Sequence, residues 1–287
     1  MNHVTLKNVQ DTFTLSNGVQ IPCMGLGTWQ TDGDTTVAAI KAALNAGYRL
    51  IDTAAAYGNE ASVGRAISEC GLKREDVFIT SKLRNACHGY KATKEAFALT
   101  LERLGTDYLD LYLIHWPNPM QYRTVWQEAT IGTWKAFEEE YKAGRIRAIG
   151  VSNFFPHHIE MLRKNCEIMP MVNQLKLCPG VTQADTVAYC KANNILVEAY
   201  SPFGTGMIFQ CPEMVAIAEK YGKSVGQICL RWSLQMGWLP LPKSGNPARI
   251  AENTQVFDFE LDIGDMDRIA ALKGVCGEAP DSDNITF

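Results

Sequence analysis

Four helical stretches of this chain stop at a glycine and give way to short apolar runs, and that repeat constrains the fold more than any other feature. Apolar residues recur at three- and four-residue spacing over 34–46, 91–104, 131–143 and 211–221, ending at Gly47, Gly105, Gly144 and Gly222. Apolar runs rich in Val, Ile, Leu and Tyr lie near 24–26, 49–52, 77–81, 109–114, 146–150, 171–173, 195–199 and 239–241. Helices closing on glycine, each followed shortly by a strand, predict repeated βα units. Eight strands within 287 residues fit a (β/α)8 TIM barrel, which typically takes ~250 residues.

The chain opens differently. Residues 12–15 and 19–21 alternate in polarity around Ser16-Asn17-Gly18, which predicts an N-terminal β-hairpin capping the bottom of the barrel. A doubly wound sheet would need G-x-G-x-x-G after its first strand. Gly25-Leu26-Gly27 runs on into Thr28-Trp29-Gln30 without a third glycine, and Gly204-Thr205-Gly206 fails in the same way. No linker-like segment interrupts the repeat, so residues 1–287 are expected to form a single barrel domain.

Composition narrows the function classes. Lys plus Arg number 27 against 31 Asp plus Glu, a net charge of −4 that disfavours nucleic acid and anionic membrane surfaces as partners. The first eleven residues lack a signal peptide's basic-then-apolar pattern, and no apolar run approaches the ~18–20 residues of a membrane span. The nine cysteines are an odd number without a Cys-x-x-Cys pair, and most read as small buried hydrophobes in a reducing cytoplasm. The five histidines form neither His-x-His nor H-E-x-x-H, so no metal is expected. His157-His158, opening a helix after Pro156, reads as a solvated turn.

Barrel enzymes build their sites at the carboxyl ends of the strands, so the polar residues after each apolar run are the candidates. They are Asp52 and Tyr57, Lys82, His115 and Trp116, Ser152 and Asn153, Gln174, Tyr200 and Ser201, and Lys243 and Ser244. Any one alone has an ordinary explanation: a turn cap, a packing aromatic, a lysine reaching for water. Their coincidence on one rim argues for chemistry.

Three ordered segments then carry a resemblance. Residues 47–60 (GYRLIDTAAAYGNE), residues 161–179 with Met171-Val172-Asn173-Gln174, and Leu241-Pro242-Lys243-Ser244 continuing through Arg249, Glu252 and Asn253 resemble the three signatures of the aldo-keto reductase superfamily. The short loops are similar to the branch of 2,5-diketo-gluconate reductases and prostaglandin F synthases. The resemblance implies NADPH-dependent reduction of a small-molecule carbonyl by a monomeric enzyme. It makes Asp52, Tyr57, Lys82 and His115 the catalytic tetrad, with Tyr57 as general acid, Lys82 lowering its pKa and Asp52 holding Lys82 charged.

For the cofactor it implies Thr28, Asp52, Ser152, Asn153, Gln174, Tyr200, Ser201, Phe203, Gly204, Lys243, Ser244, Arg249, Glu252 and Asn253. Tyr200 would stack on the nicotinamide, and Lys243, Ser244 and Arg249 would grip the 2′-phosphate. Asn246-Pro247 is expected to add a helix N-terminus there. Trp29, Arg84, His115 and Trp116 are candidate substrate contacts, with Tyr122 and Trp126 as further apolar walls. Two positions depart from the pattern. Arg84 stands where many relatives carry tryptophan; either its donor fork suits anionic or heavily hydroxylated carbonyls, or it is a surface arginine pointing away. Lys176 and Cys178 replace Glu and His; Cys178 is either a thiol activated by Lys176 or an inert replacement. The tail, 277–287, either folds over the rim or is disordered. A competing reading, a cofactor-binding sensor without catalysis, leaves the intact tetrad unexplained.

Overall fold

The structure, a computed structural model, describes residues 6–287. A hairpin of β1 (Thr12–Thr14) and β2 (Gln20–Pro22) precedes eight parallel strands. These are β3 (Gly25–Gly27), β4 (Leu50–Asp52), β5 (Phe78–Leu83), β6 (Leu109–Ile114), β7 (Ile146–Ser152), β8 (Val172–Lys176), β9 (Leu196–Tyr200) and β10 (Leu239–Leu241). They pair in chain order, and the Gly27 N–H donates to the Pro242 carbonyl at 2.9 Å to bring the two edges together. Every strand residue from β3 to β6 is buried, which suits a sheet covered on both faces.

Around the barrel lie α1 (Gly33–Asn45), α2 (Glu60–Ser68), α3 (Tyr90–Leu104), α4 (Trp126–Lys142), α5 (Pro156–Asn165) and α6 (Ala184–Ala192), each between two strands. The connection from β9 to β10 holds two helices, α7 (Pro212–Tyr221) and α8 (Val225–Gln235). After β10 come α9 (Pro247–Glu252) and α10 (Ile263–Ala271). All four helix-closing glycines have positive φ, from +63° at Gly105 and Gly222 to +99° at Gly47. Gly222 leads into α8 rather than a strand. Residues 226–234 of α8 are all buried, although Gln227, Arg231 and Gln235 recur at four-residue spacing along it.

The hairpin turn uses the three residues Ser16-Asn17-Gly18, as expected. The Leu15 N–H donates to Val19 O and the Gly18 N–H to Leu15 O, each at 2.9 Å, with Gly18 at φ +87°. Asn17 is thereby released, and its Nδ2 donates to Arg147 O at 2.9 Å, fastening the hairpin at the amino end of β7. That end is the bottom of the barrel.

One close approach depends on a missing side chain. A Cβ on Gly64 of α2 would stand 2.5 Å from the Leu104 carbonyl oxygen at the end of α3. Gly64→Ala must push two helices apart, at a cost of about 1–3 kcal/mol. Its thermal unfolding midpoint should fall by several degrees, with kcat/KM unchanged below the transition. An unchanged midpoint would show that the helices separate freely.

Candidate active site

β5, β7, β8 and β9 extend further toward the rim than their apolar runs, so Lys82, Ser152, Gln174 and Tyr200 stand inside strands. Lys82 is the fifth residue of β5, Ser152 ends β7, Gln174 is the third residue of β8, and Tyr200 ends β9. Asp52 ends β4. The chain then forms a 3-10 turn over Ala55–Tyr57 and reverses at Gly58, φ +73°, which brings Tyr57 back over the barrel mouth. Buried Asn59 braces this turn: its Nδ2 donates to Thr28 O at 2.8 Å and Thr31 O at 3.0 Å, and its Oδ1 accepts from the Thr53 hydroxyl at 2.9 Å.

Lys82 is completely buried. Its ammonium donates to both Asp52 oxygens at 2.8 and 2.7 Å and to Thr53 O at 2.9 Å, and lies 3.4 Å from the Tyr57 hydroxyl. Burial alone would pull the Lys82 pKa down, but Asp52, with help from Tyr57 and Glu198, carries it above the usual lysine value. The ammonium therefore stays charged.

Burial pushes the Tyr57 phenol up, Lys82 pulls it down, and Asp52 pushes it up again; the net direction is upward. Lys82 thus limits the rise without reversing it, contrary to the expected lowering, because desolvation of the phenolate is the larger effect. His115 faces Tyr57 edge-on, ring centres 5.9 Å apart. Burial and the Lys82 charge push its pKa down to about 3. The imidazole is neutral at physiological pH, able to orient an oxygen but carrying no spare proton to give.

Asn153, Gln174 and Tyr200 form a connected ledge beside this group. Asn153 adopts φ +62°, its N–H donates to Gln174 O at 2.9 Å, and its Nδ2 donates to His115 O at 3.1 Å. The Tyr200 hydroxyl donates to Asn153 Oδ1 at 2.9 Å, and the Ser152 hydroxyl to Gln174 O at 2.9 Å. Thr28 turns its hydroxyl and N–H onto the Asp52 carbonyl, both at 3.0 Å, so it supports the wall rather than offering a free donor. Ser201 has φ +50°, and the Phe203 ring lies 5.5 Å from that of Phe209. Gly204 closes on the chain's tail, where a Cβ would meet Cys276 at 2.5 Å.

Across the rim, Lys243 and Arg249 are exposed and have no acidic partner among the described residues. Two unneutralised cations near half-buried Ser244 suit a phosphate. Glu252 ends α9 half-buried, and Asn253, just after it, is buried. Asn246 caps α9 as expected, its Oδ1 accepting from the Ala248 and Arg249 N–H groups at 2.9 and 3.3 Å, with Pro247 in the first turn.

A family model described as the aldo/keto reductase family matches residues 23–273. The chain belongs to the aldo/keto reductase family. A glyoxal reductase of Bacillus subtilis is 48% identical over 281 residues, 98% of this chain and 99% of that protein. A 9,11-endoperoxide prostaglandin H2 reductase of Trypanosoma cruzi is 44% identical over 263 residues, 90% of each. An aldo-keto reductase of Bombyx mori, solved in complex with NADP, matches with a TM-score of 0.84 at 37% identity, covering 91% of this chain and 92% of that one.

In this aldo/keto reductase the tail folds over the rim. Lys176 donates to the Cys276 and Glu278 carbonyls at 3.0 and 2.8 Å, Asn118 to Asp283 O at 3.3 Å, and Arg123 to Ile285 O. Phe287 packs edge-on against Trp116, 5.4 Å between ring centres. His158 is no solvated turn. Its buried ring accepts the Phe155 N–H on Nδ1 at 3.0 Å, so Nε2 bears the proton and donates to Asp283 at 2.9 Å. Trp126 packs on His158 and Tyr122 on His88, which takes both rings up in structural contacts. Trp29 and Arg84 are exposed. Cys178 is fully buried, and contact with Cys276 together with burial drives its thiol far above the usual range, so Lys176 does not activate it. Six of the nine cysteines are buried, and none of the nine is in a disulfide.

Sequence reasoning missed Glu198. A lone acid in the apolar run of β9 was the available signal. Its side chain is fully buried, and its Oε2 accepts from Gln174 Nε2 at 2.7 Å. Burial, then repulsion from Asp52, push its pKa up to about 8. The unfolded carboxyl ionises near 4.3. Between those values the folded chain keeps a proton that the unfolded chain has released, so stability falls as pH rises. Glu198→Gln should therefore gain stability over wild type from about pH 4.3 to about pH 8, then hold a constant advantage. Denaturant titrations across that range test it; parallel curves would refute the raised pKa.

Proposed function

We propose that the chain reduces aldehydes and ketones to alcohols with NADPH, Tyr57 supplying the proton. The observation that carries this reading is the continuous Asp52–Lys82–Tyr57 chain beside a neutral His115. When bound, NADPH supplies the hydride. Ser152, Asn153 and Gln174 would hold the carboxamide end of its nicotinamide, Tyr200 the ring face, and Lys243, Ser244 and Arg249 the 2′-phosphate. The NADP held by the silkworm relative supports the same cofactor.

The protein's own groups handle oxygen and proton. His115 donates a hydrogen bond to the carbonyl oxygen and fixes its approach. As negative charge grows on that oxygen, Tyr57, kept protonated by its buried setting, gives up its proton in or near the transition state. Lys82 stabilises the phenolate left behind, and Asp52 keeps Lys82 charged and in place. A histidine that stays neutral leaves the phenol as the acid.

The direct test is cofactor consumption over a panel of aldehydes including glyoxal, sugar-derived ketones and keto-acids, with NADPH against NADH. Turnover should prefer NADPH, and Tyr57→Phe should cut kcat/KM by about 10²–10⁴-fold while still binding NADPH. Tight NADPH binding without turnover on any substrate would favour a cofactor sensor instead.

Arg84, exposed at the end of β5 and without an acidic partner among the described residues, supports a preference for anionic carbonyl substrates. Arg84→Ala should lower kcat/KM for a keto-acid about tenfold and leave a neutral aldehyde nearly unchanged. Equal losses on both would remove Arg84 from substrate selection.

A further inference from the structure

Glu198 bears on the cofactor through a side chain the reading above already uses. It sits in the middle of β9, with its Cα beside Gln174 on β8 and Leu239 on β10. The Gln174 amide nitrogen has two hydrogens, and both are taken by oxygens of carboxyl groups: Glu198 Oε2 at 2.7 Å and Asp52 Oδ1 at 2.9 Å. Turning the amide over would set its carbonyl against two acceptors, so this pair of acids dictates which way it faces. Asp52 cannot enforce that alone, because both its oxygens are shared with the Lys82 ammonium.

The consequence is at the other end of the amide. Gln174 Oε1 accepts no hydrogen bond from any described residue, and it stands on the ledge where Asn153 Nδ2 is already committed to the His115 carbonyl and the Ser152 hydroxyl. Asn153 Oδ1 is likewise taken, by the Tyr200 hydroxyl. Among the amide oxygens of the ledge, Gln174 Oε1 is the acceptor left for a ligand. A primary carboxamide, such as that on a nicotinamide ring, offers the matching N–H donor.

We propose that Glu198 is a positioning residue for the cofactor: by holding the Gln174 amide nitrogen inward, it keeps Gln174 Oε1 turned to accept the nicotinamide carboxamide. The inference rests on the NADPH reading and adds to it a buried acid that touches neither cofactor nor substrate. What Glu198 supplies is an acceptor for one amide hydrogen. Its oxygen that receives no hydrogen bond, Oε1, is free to carry the proton that its buried setting favours.

The test compares two ligands that differ in the nicotinamide half: NADP+ and 2′,5′-ADP. Dissociation constants are measured by calorimetry or quenching of protein fluorescence at pH 7. Glu198→Leu removes the acceptor and should weaken NADP+ about tenfold, the worth of one well-placed hydrogen bond, while leaving 2′,5′-ADP within twofold. Glu198→Gln keeps an acceptor oxygen for Gln174 and should restore NADP+ binding. If the leucine variant does not fold, Glu198→Met, unbranched and close in length, carries the same comparison.

Equal weakening of both ligands would reduce Glu198 to a structural part and overturn the proposal. So would unchanged NADP+ affinity in the leucine or methionine variant, or a glutamine variant as weak as leucine. Failure of the NADPH reading looks different: the wild-type protein would then bind NADP+ no better than 2′,5′-ADP, or bind neither.

Discussion

The ion pair between Lys82 and Asp52 is the constraint around which the upper barrel is organised. An ammonium without exposure would ordinarily shed its proton, because desolvation of a charge costs several kcal/mol even after relaxation. Here both carboxylate oxygens and a backbone carbonyl surround it, all within 2.9 Å. The pair is retained inside a closed parallel sheet, where hydrophobic side chains would pack at lower cost. Such an expense is characteristic of a site, and Tyr57, 3.4 Å away, is the group on which the retained charge acts.

The same desolvation decides the other titrating groups. It holds the Tyr57 phenol protonated against the pull of Lys82, empties the His115 ring of its second proton, and lifts Glu198 toward neutrality beside Asp52. The interior then holds one ammonium against one carboxylate near neutral pH, with an acid and a neutral imidazole at the mouth. That division of roles between phenol and imidazole follows from their positions, one over Lys82 and one repelled by it.

Much of this was legible in the chain. The glycines at 47, 105, 144 and 222 announced helix ends because each needs a positive φ, and the eight apolar runs marked every barrel strand. The runs ended too early at Lys82, Ser152 and Gln174, since polar side chains continue the strands at the barrel mouth. α8 went unread although Gln227, Arg231 and Gln235 recur every four residues along it. The tail was equally hidden: its anchors, Lys176, Asn118, Arg123 and His158, meet it from distant parts of the chain through main-chain carbonyls and one carboxylate. No local pattern encodes such contacts. Lys176 is instructive, for it holds the tail over the rim through two main-chain carbonyls.

In the proposed reaction Tyr57, not His115, delivers the proton. The pH dependence of kcat/KM for carbonyl reduction tests it most directly. A phenol that stays protonated and an imidazole already neutral above about pH 3 predict no titrating limb between pH 5.5 and 7.5. A limb centred near 6.5 that disappears in His115→Asn would make the histidine the acid.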